Sequence, residues 1–445
     1  MKKAIAISIA LFMVVVLTSA VFASVPAPGG PFNSAFRVQN LETTQAQCSY
    51  SFYDGAGTVA YTSAATPVTP GDSLYVYVPD VSGLGSGSYS AVVSCDRKVA
   101  AVSNFSDADS GASHSGIDDP GTEWYAPGIY DNYYNYYSNI VVQNASASAV
   151  DVTVEIFAPG NPTAVVTQST TGLAANASFA FEQEGQAGMA DNQFYSAKIT
   201  ATGNVAPIVN IYGKGPADNQ LYSYNAFKSG STSAFAPLIM NNYYGYNTAL
   251  VIQNIGTSNA DVTVAYTNGT SANYTIGAGA AESIYTPGTS LPAGNTLYGA
   301  TVTSNNSQPL VVLVNESNAY NRAASYSGFP SGSMEVRAPI VMKRYYKYNS
   351  SITCQNVGTA ATTMTINYAT GASGPTTSPS IPVGSTHLFY QPNDPALVSV
   401  PPNWISSATI TAFQDIVCVV NQDMNEGAEA VQVMDQLYAY NGIEP

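Results

Sequence analysis

Two histidines, four cysteines and 28 carboxylates are the residues of this 445-residue chain that could do chemistry. His114 and His387 stand alone. Neither has a second imidazole near it in sequence, and no cysteine spacing resembles a zinc site. No Gly-x-Ser-x-Gly elbow precedes a helix, so no serine is marked as a nucleophile. No pair of the carboxylates is singled out for glycoside cleavage. The chain reads as non-enzymatic. Calcium is the one cofactor left open. Asp107-Ala108-Asp109-Ser110-Gly111 and Asp423-Met424-Asn425-Glu426-Gly427 place oxygen side chains at alternate positions before a glycine, a pattern that wraps a hard cation. A plain Asx-rich turn explains the same residues.

Tyrosine supplies the densest cluster. Ala126-Pro127, Ala236-Pro237 and Ala338-Pro339 are each followed by the same motif: Tyr133-Tyr134-Asn135-Tyr136, Tyr243-Tyr244-Gly245-Tyr246 and Tyr345-Tyr346-Lys347-Tyr348. Side chains alternate along a strand, so three aromatics this close cannot all point inward. At least one is exposed or lies at a seam. They either pack joints between repeats, form contacts between protomers, or stack on sugar rings. Lys343, Arg344 and Lys347, with Arg337, gather basic charge in a chain of formal net charge −15. They form either a docking patch for an acidic surface of another copy or a solvated loop.

The elements that must position these residues recur. A Gln-Asn pair closes an apolar strand at Gln39-Asn40, Gln143-Asn144, Gln253-Asn254 and Gln355-Asn356, at spacings of 104, 110 and 102 residues. A very apolar run follows later in each copy: Val99 to Val102, Pro207 to Tyr212, Pro309 to Val314 and Ile416 to Val420. Each copy closes on His114, Tyr224, Tyr326 or Tyr440. Landmarks in one order across four copies mark repetition. The elements are short runs of Val, Ile, Thr and Tyr between Gly, Pro, Asn and Ser clusters. Glu426 to Leu437 is the one weak helical stretch.

The expected fold is therefore all-β, with four tandem immunoglobulin-like β-sandwich repeats forming an elongated rod. A compact barrel is the alternative for each repeat. The expected boundaries are 24–119, 120–229, 230–331 and 332–445, after an export signal at 1–23. That signal has Lys2 and Lys3, an apolar stretch and a small-residue cleavage site before Ser24. The first repeat lacks the tyrosine motif, and only Phe32 matches it, so an edge strand could be missing there. Cys48–Cys95 and Cys354–Cys418 are the expected disulfides, bridging the two sheets of the first and last repeats and stapling the units with a free side. Buried free thiols are the alternative.

Charged residues are 9% of the chain, well below the roughly 25% of an average soluble domain. The acidic balance argues against nucleic acid and anionic membrane as partners. No apolar run after the signal is long enough to span a bilayer.

The hydrophobic-x-hydrophobic-Gln-Asn-x-Gly-Thr run, the Val-Thr-Val-x-Tyr strand and the closing Tyr-x-Gly-Phe resemble tandem repeats of exported surface proteins of filamentous bacteria such as Chloroflexi. The resemblance implies fold and a secreted, cell-surface location, and no functional residues. The expected function is a subunit of a self-assembling surface layer (S-layer), sheath or filament, with other copies of itself as partners. The alternative is an adhesin that binds glycans or another surface through exposed tyrosines.

Overall fold

The computed structural model describes residues 17–19, 31–215, 219–425 and 435–445. The fold is all-β, built from several antiparallel sheets. The stretch 426–434, where a weak helix was expected, lies outside the described residues, as does most of 1–23. Among the described residues, no helix is long and apolar enough to cross a membrane.

The first unit runs β1 (Leu17–Ser19), β2 (Asn33–Asn40), β3 (Ala46–Tyr53), β4 (Val59–Thr62), β5 (Thr66–Val68), β6 (Ser73–Tyr77), β7 (Ser90–Cys95), β8 (Val99–Ser106) and β9 (Gly111–Ser115). The second runs β10 (Gly121–Tyr130), β11 (Tyr136–Asn144), β12 (Val150–Phe157), β13 (Val166–Leu173), β14 (Ser178–Glu182), β15 (Phe194–Gly213) and β16 (Leu221–Asn225). The third runs β17 (Ser233–Ile239), β18 (Asn241–Tyr243), β19 (Tyr246–Asn254), β20 (Ala260–Tyr266), β21 (Ser271–Ile276), β22 (Ala281–Tyr285), β23 (Tyr298–Ser304), β24 (Leu310–Asn318) and β25 (Ala323–Ser327). The fourth runs β26 (Ser333–Lys343), β27 (Tyr348–Asn356), β28 (Met364–Tyr368), β29 (Thr376–Thr377), β30 (Thr386–Tyr390), β31 (Trp404–Met424) and β32 (Leu437–Asn441).

One strand order recurs. In the second unit, β13-β12-β15-β10 form one half and β14-β11-β15-β16 the other. The 20-residue β15 serves both halves, so the unit is one folded sheet rather than two separate layers. β31 does the same in the fourth unit. In the first and third units the corresponding strand is broken, and the halves are separate sheets: β7 with β8, and β23 with β24. An immunoglobulin sandwich keeps its sixth and seventh strands in one sheet. Here the chain changes sheet at that point, so the pairing order differs from the immunoglobulin one.

The Gln-Asn pairs explain themselves locally. In each unit the Asn amide spans a turn and a neighbouring strand: Asn254 Nδ2 donates to Ser258 O (2.7 Å) and Ile276 O (2.9 Å), and its Oδ1 accepts from Gly256 N (2.9 Å). Asn40, Asn144 and Asn356 repeat the pattern. The preceding Gln donates to a turn carbonyl, Gly71 O, Asn176 O, Gly279 O or Gly384 O. Three of those carbonyls also accept a serine from the neighbouring unit: Ser90 Oγ to Asn176 O, Ser196 Oγ to Gly279 O and Ser407 Oγ to Gly71 O.

That last bond joins the fourth unit to the first. A rod would hold these units apart, and the expectation of a rod is corrected here. β9, β16, β25 and β32 pack in sequence around a common axis, and β32 returns to β9. Asn225 Nδ2 donates to Ser115 O (3.0 Å), Asn441 Nδ2 to Ser327 O (2.6 Å) and Ser113 Oγ to Ala439 O (2.7 Å). The cores also interlock. Val251 and Leu313 of the third unit enter the core of the second, Val417 and Val419 of the fourth enter that of the third, and Val102 of the first enters that of the fourth. The very apolar runs are thus buried on both faces, which is why they do not alternate.

Asp435 closes one end of the axis. Its carboxylate accepts from Leu221 N (2.6 Å), Ala323 N (2.8 Å) and Leu437 N (3.3 Å), and its own N–H donates to Asp109 O (2.7 Å). One buried residue therefore touches all four units.

Both disulfides are formed, Cys48–Cys95 and Cys354–Cys418. They join adjacent strands of one sheet, Cys48 opposite Cys95 on β3–β7 and Cys354 opposite Cys418 on β27–β31. They do not bridge two sheets. Nor do they staple units with a free side, because the first and fourth units are neighbours.

Candidate functional site

The tyrosine motifs are tight hairpin turns. Tyr133 bridges Tyr136, Tyr345 bridges Tyr348, and Tyr243 pairs with Tyr246. The two central residues have positive φ in every copy: Tyr134 and Asn135 (51°, 68°), Tyr244 and Gly245 (48°, 87°), Tyr346 and Lys347 (45°, 74°). Two left-handed central residues define the turn whose twist matches the strands it joins, and Asn or Gly is the usual occupant. A tyrosine there is an outlier that costs about 1 kcal/mol. Three equivalent turns keep it.

The three members of each motif have different fates. Tyr133, Tyr243 and Tyr345 are half-buried. Tyr134, Tyr244 and Tyr346 project outward at 67%, 69% and 68% exposure. Each outer ring stands edge-on against its inner neighbour, with centroids 4.8–4.9 Å apart. Backbone bonds from Tyr244 N to Asn295 Oδ1 (3.0 Å) and Tyr346 N to Asn403 Oδ1 (2.9 Å) fix the turns. The third tyrosines turn toward the axis. Tyr136 donates to Gln220, Tyr348 to Gln436, and Tyr246 crosses to the fourth unit to reach Asp423 Oδ2 at 2.8 Å.

The Ala-Pro dipeptides ahead of the turns sit at register shifts in β10, β17 and β26. A bulge tolerates proline because no ladder bond is needed there. The closing tyrosines hold these bulges: Tyr224 OH donates to Gly128 O (3.1 Å), Tyr326 OH to Leu238 O (2.7 Å) and Tyr440 OH to Ile340 O (2.5 Å). The first unit has the three-residue β1 in that place, paired with β7, and carries His114 instead of tyrosine. His114 is buried, and burial pushes its pKa down to about 4. His387 packs edge-on against Phe389, and burial lowers its pKa as well.

The basic cluster is divided. Lys343 is buried, its Nζ donates to Leu397 O (2.5 Å), and burial lowers its pKa. Its ammonium is thus turned onto a backbone carbonyl and away from solvent. Arg337 is held by Glu335 and Thr409. Arg344 and Lys347 are exposed in the turn. Of the calcium candidates, Asp107 closes an Asx turn onto Asp109 N (2.8 Å) and Ser110 N (2.7 Å), while Asp423 pairs with Arg322 Nη1 at 2.5 Å. Among the described residues, no three His, Cys, Asp or Glu side chains converge to hold a metal.

The Arg322–Asp423 pair lies in a cavity of about 540 Å³ at the seam of the third and fourth units. Glu316 lines it, fully buried, with Oε2 accepting from Asn421 Nδ2 at 2.6 Å. Burial pushes the Glu316 carboxyl up to about 8. The equivalent space between the fourth and first units is about 140 Å³. There Arg37 lies over the Tyr75 ring at 5.4 Å. Sequence reasoning missed Glu316, Arg322 and Asp435. Glu316 lies in the polar end of β24, Asn315-Glu316-Ser317-Asn318, and nothing in the sequence set it apart.

No family model matches the chain, and no curated protein does. Among solved structures, a crystal structure of Thermotoga maritima 1070 covers 24% of this chain and 95% of its own, at 10% identity and a TM-score of 0.21. An anti-sigma factor domain-containing protein covers 61% and 93%, at 10% identity and 0.12. An Escherichia coli alpha-2-macroglobulin activated by porcine elastase covers 96% and 44%, at 10% identity and 0.11. These are weak, β-rich likenesses at low identity, and they carry no argument about function.

Proposed function

We propose that this chain is an exported, non-catalytic contact protein of the cell surface. It is a building block of a layer, sheath or filament, and it meets neighbouring copies through its displayed tyrosines. Residues 24–119, 120–229, 230–331 and 332–445 are taken as four tandem domains. The observation that carries the reading is the set Tyr134, Tyr244 and Tyr346, each held outward in a left-handed conformation that asparagine or glycine would occupy at lower cost. Rigid aromatic faces with polar tips suit protein contacts. A surface with few long charged side chains loses little side-chain entropy on packing.

Substituting Tyr134, Tyr244 and Tyr346 together by Asn tests this, because Asn accepts the same backbone conformation. Loss of ordered assembly in negative-stain images, with an unchanged melt, supports the reading. Assembly at the wild-type level refutes it. If the wild type stays dispersed and the triple variant loses retention on immobilised polysaccharide, the turns serve an adhesin.

A further inference from the structure

Four seams of one design would be expected to have one kind of filling, and the third-to-fourth seam differs from the second-to-third. In the second-to-third seam, Tyr130 stacks on Tyr133 at 5.3 Å between centroids, and Ile211 and Val251 are fully buried beside it. The register places Met240, Glu316 and Thr353 at the corresponding positions of the third-to-fourth seam. A ring, a branched alkyl group and a valine have become a flexible thioether, a carboxyl and a hydroxyl. The space left is the cavity of about 540 Å³, within the usual range for small-ligand sites.

The wall of this cavity is mixed in a specific way. Tyr243 and Tyr390 offer ring surface, and Asn318 and Thr353 offer neutral hydrogen-bonding groups. At its floor, Glu316 Oε1 and Asn421 Oδ1 are buried polar atoms without partners. Such groups are costly to bury unless a hydrogen-bond partner reaches them. Arg322 is already neutralised by Asp423, so an anionic ligand gains no unpaired cation. A purely apolar ligand would strand the amides and hydroxyls.

We propose that the seam between the third and fourth units binds a small neutral saccharide. Its C–H face would lie against tyrosine, and its hydroxyls would pair with the Glu316 carboxyl and the Asn421 amide oxygen. The site is distinct from the outward tyrosine turns of the second and fourth units and does not depend on assembly.

Calorimetric titration of the full mature chain with neutral monosaccharides and disaccharides, each to about 10 mM, tests this. At least one sugar is expected to bind saturably. Met240→Tyr, which rebuilds the filling of the second-to-third seam, is expected to weaken it at least tenfold. Tyr134→Asn with Tyr346→Asn is expected to leave it within twofold. Should Met240→Tyr fail to melt cooperatively, Thr353→Val replaces it, with the same expected direction. The proposal is overturned if no sugar binds the folded wild type, if the folded seam variant binds as well as wild type, or if the turn variant alone abolishes binding.

Discussion

The second-to-third seam and the third-to-fourth seam share one backbone plan and differ in filling. In the first, Tyr130, Ile211, Val251 and Leu313 are fully or nearly fully buried and join one continuous core. In the second, Val417 and Val419 still bury into the third unit, but a cavity opens beside them and a buried carboxyl lines it. Bonds from side chains to the neighbouring backbone and the apolar interlock join the units at both seams. The side chains at the outer part of the seam are free to be packing or to be a site.

Five substitutions sharpen or break this contrast. The largest effect should be shared by both seams. Asp435→Ala strips the acceptor from buried N–H groups of Leu221 and Ala323 and from Leu437 N, and should cost on the order of 3 kcal/mol or more in denaturant unfolding. A loss under about 1 kcal/mol would contradict its role as a common anchor.

Next, Leu313→Ala in the filled seam should cost about 3 kcal/mol, because its side chain is fully buried between two units. Thr353→Val in the open seam should change stability by less than about 1 kcal/mol. Comparable losses at the two positions would erase the distinction.

The third effect is on pH. Glu316 has a folded pKa of about 8, above its unfolded value, so the fold is favoured while the group keeps its proton. Its contribution is complete below about pH 4.5 and falls as pH rises toward 8. Glu316→Ile, which copies Ile211, should remove that fall, amounting to a few kcal/mol at most. His114 acts oppositely: its folded pKa of about 4 lies below the unfolded value, so stability falls as pH drops from about 6.5 to 4. Unfolding midpoints of wild type and Glu316→Ile across pH 4–9 would separate the two.

The smallest effect belongs to the turns. Tyr134→Asn relieves a left-handed tyrosine and loses an edge-on ring contact, so thermal melts should agree within about 1 kcal/mol.

Much of this was legible before the fold. The Gln-Asn pairs mark the same turn in all four strand sets, because the Asn amide has one task in each. The cysteine pairing followed from inward strand positions, although the bonds join neighbouring strands instead of facing sheets. Closure into a ring was not legible. The run Pro309 to Val314 is apolar on both faces, and a sequence cannot say whether its second face is covered by the next unit or by another molecule. Nor can it say that a lone Asp435 will meet three other units. Glu316 stands among Asn315, Ser317 and Asn318 at the polar end of its strand, which resembles an ordinary solvent-facing position until its seam is in place.

Ring closure is the central claim, and small-angle X-ray scattering of the chain tests it most directly. A closed ring of this length should have a radius of gyration near 22 Å, about the value for a compact fold. A value of roughly 40 Å or more, with the pair-distance profile of a rod, would contradict the contacts between the first and fourth units.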